Sequence, residues 1–166
     1  MTTKPTYLGL LNTISNGETQ AARYFKAWLD LTIDPAVRSI LQVVANREAE
    51  HGLAFEKRLV ELGYSLIERL NPEAEAKLIF LSDPNRSDLD KILYLDYGEP
   101  RDDPFGQLFN DHSIDAQTGA LLGRYIAEER DTIRRLRALA ETLSLPALPP
   151  LGPTPDSNMT QHLPTR

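Results

Sequence analysis

Residues 37–62, VRSILQVVANREAEHGLAFEKRLVEL, decide the fold of this chain. Val37, Leu41 and Val44, then Phe55, Leu59 and Leu62, fall at steps of three and four, the spacing of one buried helical face. Glu48 and His51 sit in the middle of that stripe, three residues apart, and therefore point the same way. A carboxylate and an imidazole inside an apolar face need partners, because burying them unpaired costs several kcal/mol. Facing carboxylates and a bound metal ion would supply those partners.

Working outward, Asp34-Pro35 gives this helix an N-cap and a proline in its first turn, and Gly63 gives it a stop. Upstream, Leu8, Leu11, Ser15, Glu18, Ala22, Phe25 and Leu29 keep the same stepping, so a first long helix is expected from about Pro5 to Leu31. The two or three residues between these helices make them antiparallel neighbours. Downstream, Gly119, Leu122, Ile126, Glu129, Ile133, Leu136, Ala140 and Leu143 define a last long helix over at least 115–143, with Asp103-Pro104 as an earlier candidate start. Between them, Asn71-Pro72, Asp83-Pro84, Gly98 and Pro100 cut residues 64–103 into pieces, leaving short helices at Glu73–Leu81 and Ser87–Tyr97. Six of the twelve prolines lie in residues 146–166, so a bundle over 1–145 is expected to end in a Pro-rich, non-helical tail.

Each long stripe is broken by an acid near its midpoint: Glu18, Glu48 and Glu129. Antiparallel helices of equal length align their midpoints, so Glu18, Glu48, His51 and Glu129 should meet in one layer. Crowded carboxylates repel, and one must take up a proton or a cation. Hard oxygen donors with one imidazole suit iron or manganese.

Composition removes several alternatives. The 166 residues suffice for one domain with a core. The absence of cysteine rules out disulfides and thiolate metal sites, and the net charge of −6 argues against nucleic acid as a partner. No segment has the length of a membrane span, and residues 1–11 lack the long apolar region of an export signal, so a cytoplasmic location is expected. No phosphate-binding glycine loop or nucleophile elbow is present.

With these residues in place, the chain resembles the ferritin-like superfamily, in particular its rubrerythrin-like branch. The resemblance rests on residues 47–63, REAEHGLAFEKRLVELG, with Glu18 one helix upstream, and covers the three long helices. It implies that Glu18 corresponds to the first-helix glutamate, Glu48 and His51 to the first Glu-x-x-His, and Glu129, or its neighbour Glu128, to the glutamate of the last helix. It further implies an all-α bundle, iron or manganese as cofactor in a mononuclear or dinuclear site, chemistry on oxygen or peroxide, and a homodimer. The chain departs from the pattern after Glu129, where Thr132 stands three residues on, and after Glu128, where Asp131 does; neither is histidine.

Several residues admit a second reading. Ser15 and Glu18 fit a capping box that would split the first helix at Asn16-Gly17 and put Glu18 on the surface. His51 is open to being a core histidine hydrogen-bonded to a neighbour, and only one of Glu128 and Glu129 is expected to face inward. His112, with Asp111 and Asp115, lies about 20–25 Å from Glu129 along a helix and cannot join its site; Asp111 or Ser113 reads as a cap. The arginines at 124, 130, 134, 135 and 137 read as a salt-bridged face. Two functions follow: a metal-binding oxidoreductase, or a non-catalytic bundle without metal that serves as an interaction or structural protein. A carboxylate from residues 64–103, or Asp131, aimed at the layer would favour the first. Apolar filling there, with the acids paired to arginine, would favour the second.

Overall fold

The computed structural model describes residues 4–97, 111 and 113–145. Those residues form an all-α bundle of three long helices and two short ones: α1 (Leu8–Leu31), α2 (Pro35–Glu61), α3 (Pro72–Leu81), α4 (Asp88–Tyr94) and α5 (Ala116–Ser144). Among them there is no strand, and no helix is long and apolar enough to cross a membrane. The Pro-rich tail, His112 and a helix start near Pro104 lie outside the described residues.

Local chemistry sets the helix ends. The Asp34 side chain accepts from the amides of Ala36 and Val37, with Pro35 at the first helical position, and opens α2. At its other end, Tyr64 N–H donates to the Leu59 carbonyl (2.9 Å) and Gly63 N–H to the Val60 carbonyl (2.9 Å), with Gly63 at φ +84°. This is the double bond of a helix stop that needs a left-handed residue, which glycine adopts without a Cβ clash. Asn71 caps α3, Ser87 and Asp90 form a reciprocal capping box on α4, and Asp115, rather than Asp111 or Ser113, caps α5. Asp111 instead accepts from the Ser113 amide and hydroxyl in the turn before α5. The first helix begins at Leu8, three residues after Pro5.

Asn16-Gly17 does not break α1. Asn12, Asn16 and Gln20, one turn apart on α1, form an amide ladder that holds the extended segment after α2. Asn12 bonds both the amide and the carbonyl of Ile67 (2.7 and 3.0 Å), and Asn16 bonds the Ile67 carbonyl and the Arg69 amide (3.0 and 2.9 Å). Gln20 donates to the Arg69 carbonyl (2.8 Å). The side chains satisfy backbone groups that the extended segment cannot pair itself, and tertiary contacts override the weak helix propensity of Asn-Gly. Ser15 is fully buried and donates to the Gly52 carbonyl (2.8 Å), so it is no cap and Glu18 stays inside.

The core consists of two apolar clusters. One contains Phe25, Trp28, Leu29, Val37, Leu41, Val44, Leu136 and Leu139, with Leu81 of α3 and Ile92 of α4. The other contains Leu8, Leu11, Ile14, Phe55, Leu59, Leu122, Tyr125 and Ile126. The order of these residues shows that α2 runs antiparallel to both α1 and α5. The residues separating the clusters on the three helices are 18, 48–51 and 129.

Candidate metal centre

Between the two clusters, Glu18, Glu48, His51 and Glu129 form the buried layer that the helix midpoints predict; each is at most 9% exposed. Gly52 permits the approach. A Cβ at that position would lie 2.5 Å from Thr19 Oγ1 and 3.1 Å from the Thr19 amide nitrogen, so α1 passes α2 closely beside His51. Tyr125 of α5 donates to Glu18 Oε1 (2.9 Å) and meets the His51 ring edge-on, with centroids 5.0 Å apart. Burying the tyrosine ring while its hydroxyl bonds the carboxylate fixes both Glu18 and the imidazole.

His51 faces acids on both ring nitrogens. Its Nε2 lies 2.7 Å from Glu128 Oε2, and its Nδ1 lies 3.2 Å from Glu129 Oε1 and 3.8 Å from Glu18 Oε2. Both members of the Glu128-Glu129 pair therefore touch the imidazole. Glu129 does so from inside, and Glu128 from the edge of the bundle, where Arg124 also holds it (3.0 Å). The sequence periodicity assigns only one of the two to the interior, because it measures angle around the helix and not the reach of a glutamate.

Three buried atoms of this layer, Glu18 Oε2, His51 Nδ1 and Glu129 Oε1, lack a well-aligned hydrogen bond and are satisfied only by the ion-pair approach of Nδ1 to the two oxygens; they belong to the three residues whose donor atoms cluster within 4.8 Å. Leaving such atoms short of hydrogen bonds in a core is costly. In the metal-free protein, protons relieve part of that cost. Burial works against a charged His51, but Glu129, Glu18 and Glu128 outweigh it and raise its pKa to about 10. Burial, together with the hydrogen-bonded Glu18, pushes the Glu48 carboxyl well above the usual range. Burial likewise raises Glu129, whereas hydrogen bonds from Glu48, His51 and Tyr125 overcome the burial of Glu18 and lower it. Burial and mutual repulsion thus favour a proton on the Glu18–Glu48 pair, and His51 is an imidazolium among carboxylates.

A cavity of about 290 Å³ opens onto Glu18, Glu48 and Glu129 between α1 and α3. Tyr24, Phe25 and Tyr97 line it, and Glu73 and Lys77 also reach it. Among the described residues of 64–103, no carboxylate joins the layer: Glu73 reaches the cavity but is bound to Lys77 (2.8 Å). Asp131 does not join it either. It pairs with Arg47 (3.1 Å), Arg134 and Arg135, and Arg47 also donates to Thr132 Oγ1 (3.1 Å). The guanidinium therefore lies against Thr132, three residues after Glu129, where a second Glu-x-x-His would carry its histidine. Sequence reasoning missed Gly52, Tyr125 and Arg47. A glycine beside the histidine and a tyrosine one turn before Glu129 were the available signals.

The donor set fits a metal. Neutral imidazole with Nε2–H on Glu128 presents the Nδ1 lone pair toward Glu18 and Glu129, and a metal-bound histidine characteristically donates its other N–H to a carboxylate. The converging donors are two carboxylates, Glu18 and Glu129, and one nitrogen, with the Glu48 carboxyl beside Glu18 and outside that group. Oxygen donors with one imidazole match manganese or iron. Compared with known protein families, curated proteins and solved structures, the chain has no match.

Proposed function

We propose that the layer binds a divalent iron or manganese ion through Glu18, Glu48, His51 and Glu129, in a bundle of ferritin-like arrangement, and that the protein is an oxidoreductase acting on oxygen or peroxide. The observation that carries this is the convergence of three atoms without a well-aligned hydrogen bond, from three different helices, on one buried point. One ion, rather than two, accords with Thr132 and Arg47 occupying the place of a second histidine. When bound, the ion supplies open coordination positions at which oxygen or peroxide is activated. The chain's own part is to hold the donors rigid. Glu128 orients His51, Tyr125 orients Glu18, and the two apolar clusters exclude water above and below. The cavity beside Tyr24 supplies access from one side.

A second reading, a structural bundle without metal, draws support from Arg47, which binds Asp131 and Thr132 and is an arginine pairing of the kind expected there. Glu48→Gln separates the two. Burial and Glu18 push the Glu48 carboxyl toward its neutral form, of which glutamine is a near-isostere, and a raised carboxyl contributes no stability that the amide would lose above neutral pH. Under the metal reading the variant melts at or above the temperature of metal-free wild type and loses the rise in Tm that iron or manganese gives the wild type. A wild-type Tm indifferent to both metals supports the structural bundle instead.

A further inference from the structure

The cavity between α1 and α3 is larger than oxygen or peroxide needs. Each of those has two heavy atoms, whereas a cavity of about 150 Å³ already holds benzene. This one, at about 290 Å³, has nearly twice that volume. Small residues make the room: Gly17 and Ala21 on α1, and Ala74 on α3. Tyr24, Phe25 and Tyr97 give it an aromatic wall, in which the Tyr24 and Phe25 rings meet at a centroid distance of 4.9 Å.

The polar groups of that wall are uncommitted. Neither the Tyr24 nor the Tyr97 hydroxyl makes a hydrogen bond among the described residues, although both side chains are half-buried. Burial foremost, and then the nearby carboxylates of Glu48, Glu18 and Glu129, hold both phenols above the usual range, so each stays a neutral O–H. On the same wall Gln20 spends its Nε2 on the Arg69 carbonyl (2.8 Å), and its Oε1 is buried without a hydrogen bond. Charge, by contrast, is balanced. At the mouth Glu73 is bound to Lys77 (2.8 Å), and at the inner end His51 faces Glu18 and Glu129. Such a lining favours a neutral ligand that both donates and accepts a hydrogen bond over an ion.

We propose that this cavity binds a small neutral phenol, its ring against the aromatic wall and its hydroxyl accepting from Tyr24 or Tyr97 and donating to Gln20 Oε1. Stacked or edge-on ring contacts favour an aromatic body over an aliphatic one. As a binding site it stands on the cavity alone. As the substrate site of the reaction it rests on the metal reading, since Glu18, Glu48 and Glu129 line its inner end.

The test is an amide NMR titration of the metal-free full chain with 4-methylphenol, toluene, benzoate and benzylamine, for wild type, Tyr24→Phe, Tyr97→Phe and Ala74→Leu. 4-Methylphenol should shift the amides of residues 17–25 and 71–77 with a Kd of about 1 mM or tighter. Toluene has the same body without the hydroxyl and should bind about tenfold more weakly, with benzoate and benzylamine weaker still. Each tyrosine variant loses a hydroxyl that has no protein partner. It should melt as wild type does while weakening 4-methylphenol about three- to tenfold. Ala74→Leu fills the cavity and should abolish the shifts; if it does not fold, the tyrosine variants carry the test. Absence of a saturable shift, toluene or either ion binding as tightly as 4-methylphenol, or tyrosine variants of unchanged Kd overturns the proposal. Metal uptake measured on the same preparation separates the two readings. Binding of 4-methylphenol by a chain that takes up neither iron nor manganese keeps the site and retires the metal, and uptake without binding does the reverse.

Discussion

Replacing His51 by glutamine puts a magnitude on the electrostatics of the carboxylate layer. The folded protein raises the His51 pKa from 6.5 to about 10, which corresponds to a preference for the imidazolium of about 5 kcal/mol. Because the folded value is raised, this stabilisation is complete below about pH 6.5 and fades as pH climbs through about 10. Glutamine keeps a donor for Glu128 but carries no charge, so Glu18 and Glu129 face each other uncompensated. Glu129, already pushed up by burial, then takes a proton and recovers part of the loss. The metal-free variant should therefore be less stable than wild type by about 2–5 kcal/mol at pH 6, or roughly 5–20 °C in Tm for a chain of this size. The gap should close as the pH approaches 10. Urea unfolding of both proteins from pH 6 to pH 10, with a histidine NMR titration of the wild type, measures it. Equal stability at pH 6, or a deficit that does not change with pH, would refute the assignment of His51 as the cation of the metal-free layer.

Two further outcomes test the packing around the site. Gly52→Ala places a Cβ against the Thr19 backbone and hydroxyl, so α1 and α2 must separate at the layer. A loss of about 1–3 kcal/mol in denaturant unfolding is expected, along with weaker metal binding. Arg58→Met removes the 9%-exposed guanidinium that joins Asp115 (2.8 Å), Thr118 (2.8 Å) and Glu61 (3.0 Å) at the start of α5. It should cost about 1–2 kcal/mol, read as a fall in the urea midpoint, by removing charge-assisted hydrogen bonds to a partly exposed Asp115 that keeps its Tyr7 and Thr118 donors.

The fold was legible where periodicity and caps agree. The stripe from Val37 to Leu62, closed by Asp34-Pro35 and Gly63, is a helix because its apolar spacing, N-cap and left-handed stop favour the same boundaries. Midpoint alignment likewise placed Glu18, Glu48, His51 and Glu129 in one layer, because antiparallel packing converts sequence position into height. The continuous first helix through Asn16-Gly17 is present, and the alternative break there is absent for a physical reason. The Asn-Gly turn signal is local, whereas the amide ladder of Asn12, Asn16 and Gln20 binds a segment some fifty residues away. The reach of Glu128 around the helix edge and the seating of Arg47 on Thr132 were not legible, since both depend on side-chain rotamers and on a neighbouring helix. Lys91 reads in the sequence as an ordinary helical surface lysine. Only the docking of α4 onto Trp28 and Leu81 shows that it is buried.

Metal stoichiometry shows whether the carboxylate layer holds a divalent ion. Metal-free full chain is titrated anaerobically with Fe²⁺ or Mn²⁺, dialysed and analysed for bound metal, with His51→Gln alongside. About one ion per wild-type chain is expected, bound with release of protons from the layer and from His51 and therefore more tightly as pH rises, and none in the variant. Wild type that retains no more metal than His51→Gln at any pH would contradict it.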